Sequence, residues 1–264
     1  MFGWSINLFR IGGIRLAVNW TFGGLLAYFA YAGWQESGLP GLFWGAGTLI
    51  AYFACVVLHE LGHSLTAMRF GVKVRRILLT PIGGIAEFDR IPRKPIQELL
   101  VTLAGPAVNF VIAGLLWAVV GLPENAGTAR YALSLTGLAQ TLVVWNIVMG
   151  LFNSIPAFPM DGGRVLRALL AFRLDYVRAT YWAAMVGKII TVVGAIYLID
   201  VVDFRENPEA ALTVGICIFI FFAGQAEYMA VRRSAEREAR WREALSRPAI
   251  PVGNPASEPP VLGP

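Results

Sequence analysis

Residues 42–65 read LFWGAGTLIAYFACVVLHELGHSL. Glu36 and Glu60 bracket twenty-three consecutive uncharged residues around this stretch, and a helix needs roughly 20 predominantly apolar residues to cross a bilayer. The segment therefore predicts a membrane-spanning helix. It ends in His59-Glu60-Leu61-Gly62-His63, which holds the only two histidines of the chain. Ionisable side chains at membrane depth cost about 2.5–3.5 kcal/mol each on insertion scales, so they are seldom idle.

Working outward, the same pattern recurs. Twenty uncharged residues lie between Arg15 and Glu36, twenty-five between Glu98 and Glu124, and thirty between Arg130 and Asp161. Two further apolar stretches cover 179–200, interrupted by Lys188, and 210–226. Over all 264 residues 56% are hydrophobic and 15% charged, against about 25% charged in an ordinary soluble domain. This excludes a soluble globular enzyme and a disordered chain. The two cysteines, Cys55 and Cys217, both lie in apolar runs, which excludes a disulfide-stapled scaffold. The expected fold is an all-α polytopic membrane protein of about six transmembrane helices, near 16–34, 42–65, 99–121, 132–155, 179–199 and 210–230, with small membrane-associated β-hairpins.

The basic residues assign the sides. Nineteen of the 22 Lys and Arg precede the first span, lie between spans two and three or four and five, or follow span six. Only Arg130 and Arg205 fall in the opposite loops. Positive residues accumulate in cytoplasmic loops, so both termini are expected in the cytoplasm. The net charge of +5 is then a matter of topology, and no nucleic-acid partner is expected.

Two non-helical stretches stand out. Residues 6–18 alternate around Gly12-Gly13, and 72–88 combine Val72, Val74 and Ile77-Leu78-Leu79 with a turn at Pro81 and Gly83-Gly84. Both read as hairpins. Unpaired strand backbone cannot face lipid, so they must pair with each other or lie on the helices. Residues 1–231 are read as one membrane domain. Residues 232–264 are read as a cytoplasmic basic helix followed by a tail with six prolines after residue 246, expected to be disordered.

His59 and His63 stand four residues apart, on one face of a helix one turn apart. Such a pair can hold one Zn²⁺, with the intervening Glu60 placed to act on its water. A catalytic zinc wants a third protein ligand and an open position. Asp161, in the sequence FNSIPAFPMDGGR (152–164), has suitable depth and chemistry. Glu87 and Asp89 lie on the same side of the membrane and compete with it, and Cys55, one turn before His59, is a further soft donor. The prolines fix an extended loop before Asp161 and Gly162-Gly163 permit a tight turn after it, which favours Asp161.

LHELGHS (58–64), the Gly83-Gly84-Ile85-Ala86 turn, AGPAVN (104–109) and FNSIPAFPMDGGR (152–164) together resemble the site-2 protease family of intramembrane zinc metalloproteases. The resemblance covers nearly all of residues 1–231, with Met160 standing where Leu is usual. It implies one Zn²⁺ per chain on His59, His63 and Asp161, and Glu60 as catalytic acid/base. It also puts Asn109 and Asn153 near the active site, where either could donate to substrate or to the oxyanion. The loop of ten residues after the third span leaves no room for an inserted PDZ domain, and paired CBS domains are not expected.

The implied function is hydrolysis of peptide bonds within or beside transmembrane segments. Implied partners are a transmembrane protein substrate, such as an anti-sigma factor or membrane-tethered transcription regulator, and the lipid bilayer; a homo-oligomer is compatible with the sequence. The implied location is a bacterial inner membrane, with the active site toward the cytoplasm. A helical substrate must unwind before cleavage, and the 72–88 hairpin offers a strand edge for the freed backbone. The alternatives are a metal-binding membrane transporter, for which the repeated halves are missing, and a catalytically silent scaffold.

Overall fold

The computed structural model describes residues 5–89, 94–122, 134–202 and 210–246. The proline-rich tail, the acidic residues Asp203, Glu206 and Glu209, and Arg90, Arg93, Arg130 and Arg205 fall outside them. In chain order the elements are β1 (Ser5–Ile11), β2 (Ile14–Asn19), α1 (Thr21–Arg69), β3 (Val74–Thr80), β4 (Gly83–Phe88), α2 (Pro95–Val120), α3 (Leu135–Ser154), α4 (Asp161–Leu170), α5 (Tyr176–Val201) and α6 (Ala210–Ser246). Among the described residues five helices are long and apolar enough to cross a membrane: α1, α2, α3, α5 and α6. The chain is a mostly helical integral membrane protein with a small sheet.

The count differs from six because α1, 49 residues long, carries a break rather than a loop. Ser37 (φ −140°, ψ 20°) and Gly38 (φ 62°, ψ −142°) leave helical geometry, and a positive φ is easy for glycine. The break is a reversal. A straight helix would separate Phe29 from Gly45 by about 24 Å, yet a Cβ on Gly45 would overlap the Phe29 carbonyl. Gly33 and Gly41 likewise meet backbone to backbone. Small residues allow this close crossing, which matters in lipid because dispersion contacts replace the missing hydrophobic drive. The arm 40–69 ends in the histidine pair.

The two hairpins merge into one mixed sheet in the order β1-β2-β3-β4. β1 pairs antiparallel with β2, and β3 with β4, while β2 and β3 run parallel in the register Arg15↔Arg76 to Val18↔Leu79. Parallel neighbours need a long crossover, and the α1 reversal supplies it. One face of the sheet (Ile14, Leu16, Ile77, Leu79) packs on Leu49, Phe53, Val57 and Leu61 of α1. The sheet thus lies along the helix beside the histidines. Within the 72–88 hairpin, read as offering a strand edge, β3 is interior and β4 is the edge, lying against α1.

α6 runs unbroken from the apolar span through the basic stretch to Ser246. Lys188 donates to Gln225 and lies over the Phe221 ring. Ser134 and Asp175 cap α3 and α5, accepting from the amides of Gly137 and Arg178 at 3.0 and 3.1 Å.

Candidate metal centre

Three buried side chains from two distant parts of the chain converge at one point. His59 and His63 come from the last turns of α1, and Asp161 from the first position of α4. Their Nε2, Nε2 and Oδ2 atoms are separated by 3.1 Å (His59–His63), 3.1 Å (His63–Asp161) and 3.2 Å (His59–Asp161). Ligands of a tetrahedral zinc at 2.0–2.1 Å lie roughly 3.3 Å from one another, so the spacing suits such an ion.

The outward nitrogens decide the chemistry of the inner ones. His63 Nδ1 donates to the Val101 carbonyl at 2.7 Å, and His59 Nδ1 donates to Asn109 Oδ1 at 2.5 Å. With protons on both Nδ1 atoms, both Nε2 atoms turn lone pairs toward the Asp161 carboxylate. Three acceptors then face each other with no proton among them, in a buried place. That donor set repels itself unless a cation joins it, and the residues present therefore fit a zinc ion.

α4 reaches this point through the proline loop. Ala157, Phe158 and Met160 are buried, and the Ala157 carbonyl accepts from the Met160 amide at 3.0 Å. Met160 is the N-cap without a side-chain bond, so Asp161 faces the histidines rather than capping its helix. Gly162 and Gly163 have ordinary negative φ. Their use is close approach, since a Cβ on either would strike the backbone of 154–158.

Glu87 and Asp89 are engaged elsewhere. Glu87 pairs with Arg76 at 2.7 Å, which draws its carboxyl below the usual carboxylate range, and Asp89 pairs with Arg75. Cys55 Sγ accepts from Asn146 Nδ2 at 3.3 Å and stays outside the cluster. Asn109 lies fully buried behind His59, with its Nδ2 donating to Asn146 at 3.0 Å. Its Oδ1 accepts from His59 and one Nδ2 hydrogen goes to Asn146, which places it directly beside the ligand set. Asn153, at the end of α3, donates to the Met149 carbonyl at 3.0 Å. Glu60 sits on the same turn as the histidines, within Coulombic reach of both, of Asp161 and of Arg164. Its Cγ lies against Gly84 of β4, where a Cβ would overlap it.

Sequence reading missed two residues here. Gly105 packs so closely that a Cβ would overlap the His63 and His59 imidazoles, and a Cβ on Gly62 would strike the Ala104 carbonyl. The only signal for them was a glycine in each of HELGH and AGP, the small-residue pairing of crossing membrane helices. Gly105→Ala is expected to displace the imidazoles and weaken zinc binding about 10–100-fold, the range seen when ligand orientation is disturbed. Zinc titration of the purified variant checks this, and wild-type affinity would refute it.

A polytopic membrane protein with a buried His-His-Asp donor set and a carboxylate beside it is the class that fold and site define together. Comparison with known proteins narrows the class. The profile of peptidase family M50 matches residues 47–126. A zinc metalloprotease of Methanocaldococcus jannaschii is 37% identical over 224 residues, covering 85% of this chain and 60% of its own length. Putative zinc metalloprotease Rip3 of Mycobacterium tuberculosis is 31% identical over 239 residues, covering 84% and 58%. The solved structure of the site-2 protease from Methanocaldococcus jannaschii superposes with TM-score 0.58 at 35% identity, covering 85% of this chain and 95% of that one. The chain belongs to the site-2 protease family, peptidase family M50. It spans about 60% of the length of those two curated relatives.

Proposed function

We propose that this protein is an intramembrane zinc endopeptidase that cuts peptide bonds within or next to transmembrane segments. The observation that carries the reading is the convergence of His59, His63 and Asp161 with Glu60 on the adjoining turn. His59, His63 and Asp161 hold the metal. The chemistry that a bound zinc supplies is a water ionisable near neutral pH and a polarised peptide carbonyl. Glu60 takes a proton from the attacking water and returns it to the leaving amine. Asn153, at the mouth of the proline loop, hydrogen-bonds substrate.

β4 is the surface we assign to the unwound substrate. It is a sheet edge, it touches Glu60 through Gly84, and an added strand would satisfy the amides and carbonyls a helix gives up on unwinding. Along an antiparallel strand successive residues point their amides to opposite sides. Of Ile85→Pro and Ala86→Pro, one therefore blocks the free edge and the other disrupts pairing with β3. The edge-blocking variant is expected to keep its thermal stability and lose at least tenfold in cleavage rate. Cleavage unchanged in both variants would remove the strand-addition reading.

The two arms of α1 would each cross the bilayer, giving six crossings with both termini cytoplasmic and residues 1–231 as the membrane domain. Residues 232–246 would project as a basic helix from it. A bacterial inner membrane and a membrane-tethered regulator or anti-sigma factor as substrate agree with this reading. The test is cleavage of a single-span reporter by the protein reconstituted in lipid. A zinc chelator should stop the reaction and zinc should restore it; cleavage untouched by chelation, with zinc removed by elemental analysis, would overturn the proposal.

A further inference from the structure

His63 and His59 are held in the same tautomer by different means. His63 Nδ1 meets a backbone carbonyl directly, at Val101. His59 Nδ1 meets a carboxamide, which by itself could present either its oxygen or its nitrogen. The direction of that contact must be set elsewhere. Asn146 of α3 is 2% exposed. Its Nδ2 donates to the Leu142 carbonyl at 2.8 Å and to Cys55 Sγ at 3.3 Å, and its Oδ1 accepts from Asn109 Nδ2 at 3.0 Å. The Leu142 carbonyl can only accept. Asn146 must therefore turn its nitrogen to Leu142 and its oxygen to Asn109. Asn109 must then donate to Asn146 and face His59 with its oxygen, and His59 must carry its proton on Nδ1. Reversing either amide would set oxygen against oxygen in a buried site, where an unmade hydrogen bond costs most.

We propose that Asn146 is a positioning residue that holds His59 in its metal-binding tautomer through Asn109. Among the described residues its hydrogen bonds go to Asn109, Cys55 and Leu142 rather than to the three ligands, and the terminus of the relay is a main-chain carbonyl, as it is for His63. The proposal rests on the metal-site reading and needs nothing of the proteolysis. Removing Asn146 frees Asn109 to turn its nitrogen toward His59, which favours the proton on Nε2, where the ion would bind.

With two histidines in the chain, ¹⁵N-histidine labelling of the zinc-loaded protein in detergent reports both tautomers by NMR. In wild type both imidazoles are expected to be protonated at Nδ1. A His59 protonated at Nε2 would overturn the proposal without any variant. Asn146→Leu is expected to shift His59 toward the Nε2-protonated form and to weaken zinc binding about 10–100-fold. Adding Asn109→Asp should restore both, because a carboxylate can only accept from His59 and needs no neighbour to orient it. A merely structural role for Asn146 would not be rescued this way. A folded Asn146→Leu with wild-type tautomer and zinc affinity would refute the relay, as would failure of the double variant to recover. Wild type that binds no zinc would remove the metal-site reading, and this proposal with it.

Discussion

Glu60→Gln is expected to cut turnover of a transmembrane substrate by about 10²–10⁴-fold, the usual contribution of a positioned general acid/base, with zinc content close to wild type. The side chain is held by its surroundings, its Cγ packed on Gly84 of β4 and its carboxylate near both histidines and Arg164. Glutamine keeps that volume and can still hydrogen-bond, but it cannot take up a proton. His63→Ala is the companion, since it removes one of the three convergent ligands and should lose zinc together with activity. Elemental analysis and reporter cleavage on the same preparations separate the two roles. Turnover retained by Glu60→Gln would sink the acid/base assignment, and a transporter or silent scaffold would show no specific dependence on this residue.

Arg167→Met is expected to destabilise the protein by about 3–5 kcal/mol, because it strands a buried charge. Arg167 is fully buried and Glu98 is 1% exposed. Nη2 and Nε of Arg167 donate to Glu98 Oε1 at 2.5 and 2.8 Å, and Nη1 donates to Glu227 Oε1 at 2.7 Å. The guanidinium also lies over the rings of Phe158 and Tyr176, at 5.2 and 4.9 Å. One side chain thus joins α4 to α2, α5, α6 and the proline loop, two turns from Asp161. Lysine offers a point charge in place of the fork, so Arg167→Lys should rescue little. Arg167→Met/Glu98→Leu should regain most of the loss, since both charges then leave together. Denaturant unfolding in detergent checks both variants. A single variant as stable as wild type would show that the pair is not what holds α4. Zinc affinity should fall in Arg167→Met as well, through the displaced Asp161.

Much of this was legible along the chain because lipid imposes local rules. Uncharged runs of spanning length announce helices wherever they occur, and a His pair at i, i+4 shares a helix face whatever surrounds it. The motifs around 59–63 and 152–164 carried the family resemblance for the same reason, as contiguous patterns. Relations between distant segments were not legible. Arg167 counted only as one more basic residue between spans, because a sequence does not say which arginine meets buried carboxylates on other helices. The reversal at Ser37–Gly38 looked like a loop between separate spans. Which strand of the 72–88 hairpin is the edge was not legible, because the parallel neighbour of β3, β2, lies across the whole of α1.

The sequence by itself determined the membrane class, the candidate ligand types and the carboxylate between the histidines, all of which follow from hydropathy, charge and helical periodicity. Only the tertiary structure decided which of three carboxylates joins the histidines, that Gly105 must lack a side chain, and which way the Asn109 amide faces. Each of these depends on where a backbone carbonyl or an imidazole from another helix comes to rest. Such an atom leaves no mark on the local pattern of the residue it constrains.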